Sequence, residues 1–162
     1  MAGNGPLPGN DIMSKKMHGI ASRAGFLEPL FAAMLVSFHK LEDQRFEDEG
    51  PGWAALADST ESVKSSLGYG NSNILERTTE LWTSLTGAGQ YSNAGLLDDG
   101  WEAISTVPYA GFHQMGFTHI GGTEVPARPP VDPNLAENAG PAWMLMIREY
   151  VFEGVIAPPD WG

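Results

Sequence analysis

The chain has 162 residues, enough for one hydrophobic core and too few to divide comfortably between two. Hydrophobic residues at 42% exclude a chain disordered throughout, and the absence of cysteine removes disulfides, thiolate metal sites and cysteine nucleophiles together. A net charge of -11 argues against ordinary DNA or RNA binding, because affinity for phosphates comes mostly from lysines and arginines that displace counterions.

The charge is unevenly spread. Residues 1–25 set Lys15, Lys16 and Arg23 against Asp11, so a basic arm precedes an acidic body; such an arm either docks on an acidic partner or is a solvated helix. Residues 1–10 are rich in glycine, proline and asparagine and predict a flexible arm. They lack the charged start and apolar run of a signal peptide, and no stretch approaches the roughly 18 apolar residues of a membrane span, so a soluble protein is expected. Asp11 is placed to cap a short helix whose stripe is Met13, Met17, Ile20, Ala21 and Ala24, closed by Gly25.

The strongest helical pattern follows. Leu27, Leu30, Phe31, Met34, Leu35, Phe38 and Leu41 recur at steps of three and four, with Pro29 near the start, and predict a helix to about Glu47. Its end, from Glu42 to Glu49, holds five carboxylates against Arg45, which opposes the helix macrodipole and reads either as a solvated face or as a group placed there by some other demand. Gly50-Pro51-Gly52 breaks it. Trp53 to Leu56 reads as an apolar plug, and Ser59 or Thr60 is placed to cap a short helix through about Ser65. After a loop, Ile74, Leu75, Thr78, Leu81, Trp82 and Leu85 predict a helix of about three turns, ended by Gly87 and Gly89.

Further on, Leu96-Leu97 and Trp101 to Val107 predict a hairpin around Asp98-Asp99-Gly100, with Gly100 supplying positive φ and Trp101, Ala103, Ser105 and Val107 on one face. Pro129 to Pro133 is rigid and extended. A last helix is predicted over Pro141 to Phe152 with Trp143, Met144, Ile147, Tyr150 and Val151 as its buried stripe, followed by a polar tail with one aromatic anchor, Trp161.

The densest stretch is Tyr109 to Pro129, YAGFHQMGFTHIGGTEVPARP, with three aromatics, two histidines and four glycines. His113 and His119 with Glu124 match no metal-binding helix pattern, and a packed structural histidine is the better reading. There is no G-x-S-x-G elbow, no P-loop, and no G-x-G-x-x-G after a strand, so neither a cofactor nor a catalytic group is expected. Arg128, on a stiff extended segment, is either solvated or held so that its fork bonds a carboxylate or carbonyls bidentately.

From Phe46 onward the pieces form an ordered pattern: P-G-W-x-x-L, S-T-x-x-x-K, I-L-E-R-T-x-x-L-x-x-S-L, Y-A-x-x-H-Q-x-G and V-P-A-R-P. This resembles the virion-morphogenesis or tail-completion proteins of tailed bacteriophages, and more loosely the neck and tail-terminator proteins of long-tailed phages. The residues that carry it are Trp53, Leu56, Thr60, Lys64, Leu75, Thr78, Leu81, Ser84, Tyr109, His113, Gln114, Gly116, Pro126, Arg128 and Pro129, with Phe46, Ile74, Leu85, Ala110 and Ala127. The family usually carries Thr-Gly where this chain has Thr78-Thr79, and an aromatic or leucine where it has Pro130-Val131.

The resemblance implies an α+β fold: a small antiparallel sheet packed by a long N-terminal helix and a C-terminal helix, in one domain over residues 26–153 between the arm at 1–25 and the tail at 154–162. It implies a structural virion protein, a homo-oligomeric ring (a hexamer by analogy) at the head-proximal end of the tail. Such a ring ends tube growth, contacts the tail-tube and neck proteins, and lets DNA pass without specific binding; it would be found in the virion and, during assembly, in the host cytoplasm. A neck adaptor or stopper is the alternative, and a small acidic hydrolase using His113 with a carboxylate is a third. The expected role of Tyr109–Pro129 is architectural, with Arg128 fixing an interface.

Overall fold

Two helices open the chain. The computed structural model describes residues 8–161, beginning with α1 (Pro8–Ala24) and α2 (Glu28–Glu47), which meet at a bend of 56°. The flexible arm expected for residues 1–10 falls mostly outside the described residues, and 8–10 already belong to α1. Proline is tolerated in a first helical turn, where its missing N–H has no partner to lose, so the helix starts earlier than Asp11, which sits in the first turn instead of capping it. Gly25 N–H closes α1 on the Ala21 carbonyl at 3.1 Å.

The main core lies between α2 and α7 (Gly140–Glu153). Leu30, Met34 and Phe38 are buried against Ala139, Trp143, Met146 and Tyr150. Their spacing on both helices follows the helical period, which is why this half of the sequence was readable. The stripe on α7 is corrected at one position: Met146 is buried and Met144 is 64% exposed, because one residue past Trp143 turns about 100° away from the core. Ser37 provides a polar point inside this core. Its Oγ accepts from the indole Nε1 of both Trp143 and Trp161, each at 3.1 Å, and the second bond anchors the tail. Arg23 of α1 donates to the Val151 and Phe152 carbonyls of α7 at 2.9 and 3.1 Å.

The sheet completes this layer. Strands β1 (Ser92–Leu97) and β2 (Gly100–Ser105) pair antiparallel with Leu97 opposite Gly100, so Asp98-Asp99 is the loop. Gly100 lies in the strand with ordinary φ, and the positive φ expected there is not used. Trp101 packs on Phe38 at 5.2 Å and edge-on to Trp143 at 5.7 Å, joining the sheet to both long helices. The chain is therefore α+β, a small antiparallel sheet packed by the long α2 near its start and by α7 near its end.

A second cluster holds Phe46, Leu81, Leu85 and Val107. Leu81 and Leu85 belong to α4 (Glu80–Leu85), and Ser84 Oγ meets Ser105 Oγ at 2.7 Å, tying α4 to β2. The helix expected from Ile74 is thus cut to its last half. Two residues stop it: Leu75 and Thr79 adopt left-handed φ of 66° and 58°, which no right-handed helix can contain. The short helix before it, α3 (Asp58–Ser66), also differs from expectation. It starts after Ala57 with no side-chain cap, so Ser59 and Thr60 lie inside the first turn, where Asp58 and Glu61 place negative charge by the exposed N–H groups.

The acidic end of α2 is not all solvated surface. Glu42 is fully buried, 3.8 Å from Arg45 Nε, and makes no hydrogen bond among the described residues, while Arg45 Nη2 donates to Asp132 Oδ2 at 3.0 Å. That contact and the titration of Glu42 pull in opposite directions. Burial pushes its carboxyl up to about 8, against the smaller opposing pull of Arg45, so it stays protonated at neutral pH. Asp132, with the shorter contact, is the residue that answers the arginine's charge.

Candidate functional site

On either side of α3, and in the stretch 109–133, the chain has little regular structure, and side chains that donate into backbone carbonyls hold it. The stretch contains α5 (Ala110–Met115) and a minimal hairpin, β3 (Phe117–Thr118) with β4 (Glu124–Val125), neither foreseen from sequence. His113 and Gln114 stand on α5. Gly116 follows in a left-handed conformation (φ 72°), and a Cβ there would lie 2.8 Å from both Ala127 N and Val125 O. Only glycine fits that approach.

Arg128 is the central lock. It is 6% exposed, with Nε donating to Ala54 O at 2.7 Å and Nη2 to Ala55 O at 2.8 Å, while its own N–H reaches the His113 carbonyl at 2.8 Å. The fork is bidentate on carbonyls, one of the two alternatives open from sequence. The interface it fixes lies within the chain, between the plug at 53–56 and the V-P-A-R-P segment. Beside it Trp53 Nε1 donates to Pro129 O at 3.2 Å with its ring edge-on to Phe46 at 5.6 Å. Gln114 bonds both backbone groups of Val131, its Nε2 to the carbonyl at 3.0 Å and its Oε1 from the N–H at 3.2 Å.

Lys64 plays the same part on the other side. Its ammonium is buried and donates to Ser72 O at 2.7 Å and Asn73 O at 3.1 Å, and the next N–H, of Ile74, donates to Glu49 Oε1 at 2.9 Å. The chain is pinned immediately before Leu75. The apolar period of Ile74–Leu85 does not become three turns of helix because Leu75 and Thr79 stand at positive φ; Asn73 O accepts a single turn bond from Glu76 N–H at 3.2 Å beside the lysine, and the turn goes no further.

Together these locks shape a cleft of about 520 Å³. Leu56, Thr60, Lys64, Leu75, Thr78, Tyr109, His113, Pro126 and Arg128 line it. Trp53, Gln114, Gly116 and Pro129 support it from behind, whereas Leu81 and Ser84 lie in the second core. Tyr109 donates to Glu80 Oε2 at 3.2 Å, and burial is the main reason that its hydroxyl titrates above the usual range. The His113 ring stands edge-on to Tyr109 at 5.8 Å; burial, then the charge of Arg128, lowers its pKa, so it is neutral at neutral pH.

Sequence reasoning missed Val63, Arg77 and Phe117, which also line the cleft. Val63 was findable, three residues after Thr60 and next to Lys64 on one helix. Among the described residues no three His, Asp or Glu side chains converge on a metal position, and no carboxylate bonds the His113 ring. His119 sits instead in the β3–β4 turn, its Nδ1 accepting from Gly121 N–H at 3.4 Å. No protein-family model, curated protein or solved structure matches the chain.

Proposed function

We propose that the chain is a structural virion subunit of the tail-completion type, forming a ring, six copies by analogy, at the head-proximal end of a phage tail, where it ends tube growth and joins tail to head. The observation that carries the reading is the convergence of the pattern residues. Scattered from Trp53 to Pro129, all but Leu81, Ser84 and Leu85 line or adjoin one cleft, in which Arg128, Lys64, Trp53, Gln114 and Gly116 each have a defined structural task. Thr79, where the chain departs from the family pattern, is compatible with it. It adopts φ 58° at the position where the family carries glycine, the residue that takes this conformation without strain.

Surface properties agree with an assembly role. Met13 and Met17 on α1, and Met144, Leu145 and Phe152 on α7, are exposed apolar side chains of the kind a neighbouring subunit covers. The acidic body denies DNA phosphates a binding surface, as a ring traversed by DNA requires. Among the described residues no single helix is long and apolar enough to cross a membrane.

Electron microscopy of particles assembled without the protein tests the role, with binding to isolated tail tubes and portal proteins as the second arm. Unjoined heads and tails of irregular length, with binding to tubes in the absence of heads, are expected. Normal, joined tails overturn the proposal, and binding to portal proteins alone assigns the subunit to the neck as adaptor or stopper.

A further inference from the structure

The cleft is an electrostatic exception in an acidic chain. Of the nine lysines and arginines, Lys64, Arg77 and Arg128 line it, and Glu124 is the only carboxylate among its lining residues. Two of these cations are hydrogen-bonded to neutral groups, Lys64 to the Ser72 and Asn73 carbonyls and Arg128 to those of Ala54 and Ala55; Lys64 also feels the Glu76 carboxylate, whereas Arg128 has no carboxylate bonded to it among the described residues. Nη1 of Arg128 donates to no group among the described residues although the side chain is buried, and Arg77 is exposed. His113, neutral and without a side-chain hydrogen bond among the described residues, presents one donor and one acceptor.

The remaining lining is largely apolar. Leu56 and Val63 stand on the α3 side, Phe117 and Val125 on the hairpin side. The volume of about 520 Å³ falls within the range of roughly 300–1,000 Å³ that ligand sites occupy, which suits a few residues of extended peptide.

We propose that this cleft binds an extended segment of a partner protein, seating one aspartate or glutamate carboxylate against Arg128 and Arg77 and placing the flanking aliphatic side chains on the apolar walls. Charge complementarity selects that occupant. The Lys64 ammonium and the Nε and Nη2 of Arg128 are engaged with carbonyls, which leaves Arg128 Nη1 and Arg77 as charge-assisted donors for a carboxylate; a nucleic-acid backbone, with its many phosphates, meets an acidic body. A carboxylate brought beside His113 favours the charged imidazolium, so binding takes up a proton and strengthens as the pH falls. The inference is independent of the virion role and is tested without particles.

The probe is acetyl-Leu-Glu-Leu-amide, titrated into the isotopically labelled full chain and followed by NMR beside its neutral counterpart acetyl-Leu-Gln-Leu-amide. Shifts centred on Val63, Thr78, His113 and Val125 are expected, with the glutamate peptide bound about tenfold tighter, the difference a charge-assisted hydrogen bond makes. Affinity should rise as the pH falls through the usual histidine value near 6.5 and below it, because the ring of the free protein titrates below that value and the carboxylate raises it. Arg77→Gln, at an exposed position, should remove most of the tenfold preference without unfolding the chain. Equal affinities, shifts centred elsewhere, no saturation at millimolar peptide, tighter binding of inorganic phosphate, or a preference that survives Arg77→Gln would each overturn the proposal.

Discussion

The two halves of the molecule are held together by different means. Between α2 and α7, Leu30, Phe38, Trp143 and Met146 exclude water by apolar contact along matched helical stripes. Around the cleft, Lys64, Arg128, Trp53 and Gln114 donate into carbonyls that no helix or strand uses. The first half derives its order from a repeated pattern of cheap residues; the second derives it from a few long side chains, each reaching a distant piece of backbone. Loss of one apolar contact in the first should therefore be felt as lost stability, and loss of one donor in the second as lost shape.

The largest effect is expected in the apolar half. Met146 is 1% exposed, and Met146→Ala should cost about 2–5 kcal/mol through lost transfer energy and the cavity left behind, measured by urea denaturation. A cost below about 1 kcal/mol, the scale of a volume-conserving swap, would mean that the α2–α7 contact is not the main core.

Glu42 is the polar exception in that half and gives the next effect. Its carboxyl titrates near 4.5 in an unfolded chain and at about 8 when buried beside Arg45 and Asp132. Between those values the folded protein keeps a proton that the unfolded chain has released, so this group's contribution to stability falls as pH rises and levels off above about 8. Glu42→Gln should remove that slope. The variant is expected to match the parent near pH 4.5 and to exceed it near pH 8 by an amount on the order of a few kcal/mol. Thermal melts of both proteins across that range check it, and parallel curves would contradict it.

The smallest effect sharpens the contrast from the cleft side. Thr79 is a β-branched residue at φ 58°, a conformation that costs on the order of 1 kcal/mol or more. Thr79→Gly relieves it and should raise stability by about 1 kcal/mol, read as a higher Tm. A lower Tm would show that the hydroxyl's 2.7 Å bond to Thr78 O, which glycine loses, outweighs the backbone strain.

How much of this was legible in the sequence follows the same division. The helices α2 and α7 were readable because their apolar residues repeat with the helical period; the hairpin β1–β2 was readable from its Asp98-Asp99-Gly100 turn, and β1 reaches back to Ser92, beyond the Leu96-Leu97 expected, because SNAGLL has no apolar alternation. Ile74–Thr79 was misread for the converse reason. Its apolar spacing is helical, but Leu75 and Thr79 take positive φ, and no local pattern shows that a distant lysine will hold the carbonyls of residues 72 and 73 just before them. The two-residue strands β3 and β4 are too short to show a period at all. Arg128 was legible as a fixed fork, since the prolines around it stiffen the chain, yet its partners in the plug lie 73 and 74 residues away and could not be named. Glu42 was legible only as one of five carboxylates at a helix end; the fold alone distinguishes the buried one.

The most direct test of the carbonyl-locked half is hydrogen exchange, read by mass spectrometry, on Arg128→Lys. Lysine keeps the charge and loses the fork, so it cannot hold Ala54 O and Ala55 O together. Protection should fall across residues 53–79 and 109–131 while α2 and α7 exchange as in the parent. Unchanged protection around the cleft, or an equal loss in α2 and α7, would contradict the account.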